Sequence, residues 1–105
     1  MRKNIIEEDL RMAYILYKYI EKAMSEAVYE KIDDNEYAGR IPSCTGVIAF
    51  APTLEECKQE LLSVLEDWIL LGLRHGHPLP VVGGIDPNHE ISMRMEIVNE
   101  QMGTV

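Results

Sequence analysis

The side chains in this chain whose types could carry chemistry are Cys44 and Cys57, His75 and His77, and the carboxylates Asp33, Asp34 and Glu36. A cysteine thiolate is a nucleophile when a base lies within hydrogen-bond reach. No spacing in the sequence proposes a base for Cys44, which falls in a turn between Pro42 and Gly46, a place that leaves room for exposure. Cys57 recurs with leucines at helical spacing, where a free Cys packs as a small hydrophobe. Two Cys without a C-x-x-C spacing or a nearby His form a poor metal set. His75 and His77 stand two residues apart beside a helix end, so they do not share a helical face. With His89 as the one further imidazole, favourable interaction with the helix C-terminus is the preferred reading of the pair. Asp33, Asp34 and Glu36 could hold a divalent cation, as carboxylates do in nucleases. A solvated hairpin turn is the preferred reading, because Asp and Asn bond their own main chain in turns. Trp68 could stack on a base, yet its helical stripe directs it to the core. No P-loop, dinucleotide fingerprint or G-x-S-x-G is present. No catalytic residue, metal or cofactor is expected.

The elements that would position these residues follow from hydrophobic spacing. Ile6, Leu10, Ala13, Tyr17, Ile20 and Met24 recur every three or four residues, which predicts an amphipathic helix over about 4–24. Val28, Glu30 and Ile32 alternate with Tyr29 and Lys31 as in a strand, and Asp33-Asp34-Asn35-Glu36 makes a turn into a second strand, Tyr37 to Ile41. Pro42 to Gly46 turns the chain again. Val47 to Ala51 is apolar throughout, which predicts a central or doubly covered third strand. Thr53 followed by Glu56 is a capping box opening a helix from Leu54 to about Arg74. Leu54, Cys57, Leu61, Val64, Trp68 and Leu71 form one stripe on it. Leu62, Leu65, Ile69 and Leu73 form a second, so cover on more than one side is expected. Gly76 and Pro78 end this helix. Val81-Val82 reads as a short edge strand, and residues 85–105 as a weakly structured tail in which Ile91, Met95, Val98 and Met102 share a face.

The 105 residues suffice for one small domain. Composition is that of a soluble globular protein, no apolar run approaches a membrane span, and acids follow the first residues too soon for a signal peptide. A cytoplasmic location is therefore expected. The net charge is −8, and it is unevenly spread. Between Glu26 and Asp67 ten acids face only Lys31, Arg40 and Lys58. Phosphate backbones are held by Lys and Arg, so direct nucleic-acid binding is not expected. An acidic surface suits a basic protein partner or simply keeps the domain soluble.

The ordered set Tyr29-Glu30-Lys31, Asp33-Asp34-Asn35-Glu36-Tyr37, Ile41-Pro42-Ser43-Cys44-Thr45-Gly46, Thr53-Leu54-Glu55-Glu56-Cys57, Trp68 and Gly76-His77-Pro78-Leu79-Pro80 resembles the HicB-like antitoxin domain over about residues 26–84. The leading helix (1–25) and the segment Gly84-Ile85-Asp86-Pro87-Asn88 resemble short single-domain members. The resemblance implies a βββαβ core, related to a partial ribonuclease-H-like fold, that is non-enzymatic and oligomerises. With the added helix the expected fold is an α+β two-layer domain of order α-β-β-β-α-β, its antiparallel sheet of three to four strands packed on helices. The same order occurs in double-stranded-RNA-binding domains, whose basic loops are missing here.

The resemblance further implies binding of a small basic RNA-cleaving toxin of the HicA kind, whose active site such antitoxins mask. Pro42, Gly46, Thr53, Glu56, Trp68, Pro78 and Pro80 are then signature residues of mainly structural value. Glu30, Asp33, Asp34, Glu36 and Glu55 are the candidates for the partner surface. The DNA-binding module of longer HicB antitoxins has no counterpart in the short acidic tail, so operator binding is not expected. A homodimer is the expected assembly. The alternatives are an orphan oligomerising scaffold or ligand-sensing domain, and a metal-dependent nuclease built on Asp33, Asp34 and Glu36.

Overall fold

The computed structural model describes residues 2–89 and 91, with side chains from residue 10 onward. Helix α1 (Arg2–Ser25) leads into strands β1 (Val28–Asp33), β2 (Glu36–Arg40) and β3 (Ile48–Ala51), and helix α2 (Leu54–His75) closes the sequence of elements. The three strands form one antiparallel sheet in the order β1-β2-β3. The fold is thus α+β, with α2 laid across one face of the sheet.

Each connection has a local cause. At the β1–β2 tip the Asp34 amide donates to Asp33 Oδ1 at 2.6 Å, and the register slips between Lys31 and Asp33. Between β2 and β3, Cys44 N–H donates to Ile41 O and Val47 N–H to Cys44 O, each at 3.0 Å. Pro42 occupies the first of these two turns at the position its fixed φ suits, and Gly46 supplies the positive φ of 95° that the second requires. Thr53 is extended and caps α2, its hydroxyl accepting from the Glu56 amide at 3.1 Å. Among the described residues the return bond of a capping box is absent, and the Glu56 carboxylate remains exposed. At the other end Gly76 is left-handed, with Gly76 N–H donating to Leu73 O and His77 N–H to Gly72 O. That pattern is a Schellman motif.

Alternation in the strands sets which side chains meet α2. Tyr29, Gly39 and Ala49 lie opposite one another across the sheet, and Ala49 is buried. Cys57 of α2 sits over this row, its Sγ 3.7 Å from Ala49 O and 3.6 Å from Tyr37 O. The row is built of small residues because the Tyr29 ring folds across it: a Cβ at Gly39 would stand 2.9 Å from that ring and 3.2 Å from Cys57 Sγ. Leu61, Leu65 and Ile69 continue the buried face of α2, joined by Ile41, Cys44 and Val47 from the β2–β3 connection.

Four expectations are corrected. The stripe of α1 that reaches the core is Tyr19 and Ala23, with Leu16, Ile20 and Met24 packed against it. Leu10 and Tyr17 of the expected face are exposed, and the side chain of Ile6 lies outside the described residues. Among the described side chains of the helix, the part from Leu16 to Met24 meets the core, and the bonded Tyr19 hydroxyl lets a tyrosine enter it. β3 is an edge strand, since among the described residues it pairs only with β2, and Ile48 and Phe50 on its outer face are about half exposed. Cys44 is buried, since its turn folds inward under Tyr19.

Finally, Val81-Val82 adds no strand to the sheet; Val82 bridges only to Ile85 around Gly83 and Gly84, both at positive φ. The exit segment is held by side chains instead. Tyr19 Oη donates to Pro80 O at 2.6 Å. Asn88 accepts from Leu79 N–H at 2.8 Å and donates to Leu79 O at 2.7 Å, imitating a strand neighbour, while Asp86 fixes its amide. Met95, Val98 and Met102 of the expected tail helix lie outside the described residues.

The packing at Gly39 is testable. Gly39→Ala forces the Tyr29 ring and Cys57 apart, so urea unfolding is expected to show a loss of about 1–3 kcal/mol. An unchanged midpoint would contradict the close approach of α2.

Candidate functional site

The two edges of the sheet differ. β1 carries Glu30, Lys31 and Asp33 and a register slip, features that discourage pairing with a further strand. β3 reads Ile48-Ala49-Phe50-Ala51, without charge or proline. Ile41 N–H donates to Val47 O at 3.3 Å, and the pairing continues as Arg40↔Ile48, Gly39↔Ala49 and Ala38↔Phe50. Bonded and non-bonded pairs alternate in an antiparallel ladder. Gly39–Ala49 therefore repeats the bonded geometry of Ile41–Val47. Ile48 and Phe50 turn their N–H and C=O groups away from β2, toward the free edge.

The first half of α2 runs beside this edge. A groove of about 480 Å³ lies between them, lined by Phe50 and Ala51 of the strand and by Glu56, Glu60 and Ser63 of the helix. Glu56 and Glu60 stand four residues apart on α2, where like charges repel. The neighbouring cation, Lys58, lies over the Tyr29 ring, 5.8 Å from its centroid. The groove therefore has a main-chain hydrogen-bonding edge on one wall and unneutralised carboxylates on the other.

The residues singled out in the sequence fall into separate places. Asp33, Asp34 and Glu36 are exposed at the hairpin tip, and Glu55 is exposed in the first turn of α2. Glu30 lies on the outer face, opposite Ala38. Of the signature residues, Pro42 and Gly46 make the turns, Thr53 caps, Trp68 is half-buried against the core, Pro78 is exposed, and Pro80 offers its carbonyl to Tyr19. Glu56 alone among them lines the groove. Glu60 and the edge of β3 went unnoticed in the sequence; the signals were the four-residue spacing of Glu56 and Glu60 and the absence of charge in Ile48 to Ala51. Among the described residues no three of His, Cys, Asp and Glu come together as a metal set. His75 and His77 lie ring to ring, 5.7 Å apart at the end of α2.

Both thiols are free and buried. Desolvation raises the pKa of Cys57 and of Cys44, in the latter against the opposing influence of the neighbouring Tyr19 and Ser43 hydroxyls. Burial likewise raises Tyr19, helped by the Cys44 thiol beside it.

The fold defines a class of small two-layer α+β domains, in which one long helix covers one face of a three-stranded antiparallel sheet. More particularly, residues 18–80 match the UPF0150-like family, and the chain belongs to that family, which is related to the HicB-like antitoxins. Among solved structures, TTHA0281 from Thermus thermophilus is similar, at 42% identity over 69% of this chain and 90% of that one, with a TM-score of 0.65. No match is found among curated proteins.

The buried acids set an alkaline limit. A group whose pKa folding raises stabilises the fold fully below its ordinary value, and that contribution is lost as the pH rises beyond it. Stability is expected to hold up to the ordinary thiol value of 9.0 and to fall as the pH passes it and then the phenol value of 10.0. Tyr19→Phe should flatten the upper part of this fall in urea midpoints measured against pH. Neither thiol should react with a disulfide reagent until denaturant is added.

Proposed function

We propose that this protein is a HicB-like antitoxin that binds a small basic RNA-cleaving toxin and masks it, without catalysis of its own. The observation that carries this reading is exposed acid left unanswered within the fold. Among the described residues a single ion pair forms, Lys18 with Glu21 at 3.1 Å, and it lies on α1. Asp33, Asp34, Glu36, Glu55, Glu56 and Glu60 are all exposed and take no part in it. Such a field speeds the encounter with a cationic partner and disfavours phosphate backbones. Membership of a family related to HicB-like antitoxins supports the same reading.

The test is co-expression with the product of the adjacent reading frame. A small basic ribonuclease should co-purify, lose its activity in the complex, and dissociate more readily as salt rises. Reversal of Asp33, Asp34 and Glu36 to Lys together should slow association by about tenfold or more at low salt. Absence of any such partner overturns the antitoxin reading.

A second reading, self-association into a scaffold, is favoured by the outer face of the sheet, which among the described residues is uncovered. Val28, Ile48 and Phe50 are 44%, 49% and 57% exposed there, around Ala38. Glu30 and Arg40 on the same face would be complementary across a two-fold axis. Light scattering should then report a dimer, and Val28→Glu with Ile48→Glu should yield a folded monomer. A wild-type monomer at all concentrations removes this reading.

A further inference from the structure

We propose that the free edge of β3 and the acidic groove beside it receive an extended segment of a basic protein partner, which adds to the sheet as a further strand. The inference rests on the reading of a basic partner and says how it is held. Ile48 and Phe50 present N–H and C=O groups outward along a strand that, among the described residues, has no neighbour on the side away from β2 and none of the charges that guard β1. Main-chain bonds of this kind give affinity, and alternate side chains of the added strand give specificity.

The two sides of the added strand would meet different surroundings. Side chains pointing toward α2 enter the groove and meet Glu56 and Glu60, which call for Lys or Arg. Side chains pointing away extend the outer face beside Ile48 and Phe50, which calls for apolar residues. The partner segment is therefore one in which basic and apolar residues alternate. A second copy of this chain fits the same edge poorly. Pairing β3 with its own image would bring two sets of Glu56 and Glu60 to one junction, and like charges across an interface disfavour it.

The probe is a short acetylated peptide of alternating Val and Lys, compared with a peptide of equal composition in which the Lys and Val are grouped in blocks. Amide exchange is followed by NMR on the full chain. The alternating peptide is expected to slow exchange at Ile48 and Phe50, and the block peptide to leave both unprotected. Glu56→Gln with Glu60→Gln should weaken binding about tenfold. Phe50→Pro removes an outward N–H that the ladder does not use, so binding should be lost while the fold is kept. Should that variant unfold, exchange in the unmodified protein and the paired Gln variant still decide.

Failure of the alternating peptide to bind overturns the proposal, as does equal binding of both peptides without protection of Ile48 and Phe50. Protection that appears with protein concentration alone also overturns it, in favour of self-pairing. If a toxin complex forms but is indifferent to Phe50→Pro and to the paired Gln variant, the edge proposal falls and the antitoxin reading stands. If the peptide docks at β3 but no basic ribonuclease partner exists, the antitoxin reading falls and the edge stands.

Discussion

Contact between α2 and the sheet at Gly39 is the constraint on which the arrangement depends. Cys57 can lie over the strands only because Gly39 and Ala49 leave room, and the Tyr29 ring fills the space a side chain at Gly39 would need. Interiors are packed to crystal-like density, so a displacement here would pass to Leu61 and Leu65 along the same helical face. The same contact fixes the distance between α2 and β3, and hence the width of the groove that separates Glu56 and Glu60 from the strand edge. Packing on one face thus determines the geometry of a surface feature on the rim.

One helix across a three-stranded sheet leaves two kinds of unfinished surface. The outer face remains apolar in places, and among the described residues each end strand retains main-chain groups without a neighbour. β1 is protected by charge and by its register slip, whereas β3 has no such protection. An unguarded edge invites pairing, and here it adjoins carboxylates that no cation of the described fold neutralises. The asymmetry of the edges, more than the overall acidity, makes one side of the molecule the natural seat for a cationic chain.

Beyond the far end of α2 the described chain is held in place without pairing to the sheet. The Schellman motif at Gly76 reverses the chain, and Leu79 then takes from Asn88 the donor and acceptor that a strand neighbour would have supplied. Tyr19 brings α1 to the same segment through Pro80. Its hydroxyl can be buried because that carbonyl accepts from it, which lets a tyrosine enter the core beside Ile20 and Met24.

How much was legible in the residues alone differs from element to element. Local signals carried the elements: Thr53 with its cap, Gly46 and Gly76 with their positive φ, and the alternation of Tyr37, Gly39 and Ile41 each act over a few residues, so the element order could be read directly. The resemblance carried by Pro42, Gly46, Thr53 and Pro78 led to the HicB-like antitoxins, to which the UPF0150-like family of this chain is related. Which apolar residues are covered is a different matter, because cover is supplied by distant parts of the chain. Val47 to Ala51 looks like an inner strand but lies at an edge, since among the described residues only β2 pairs with it. Val81-Val82 has strand character, but among the described residues Val82 bridges only to Ile85, because Gly83 and Gly84 turn the chain back at once. Sequence determined the elements, their caps and the acidic balance, which are properties of near neighbours. Only the tertiary structure decided that Glu56, Glu60 and the open side of β3 share one groove, because that proximity depends on how closely Cys57 settles over Gly39.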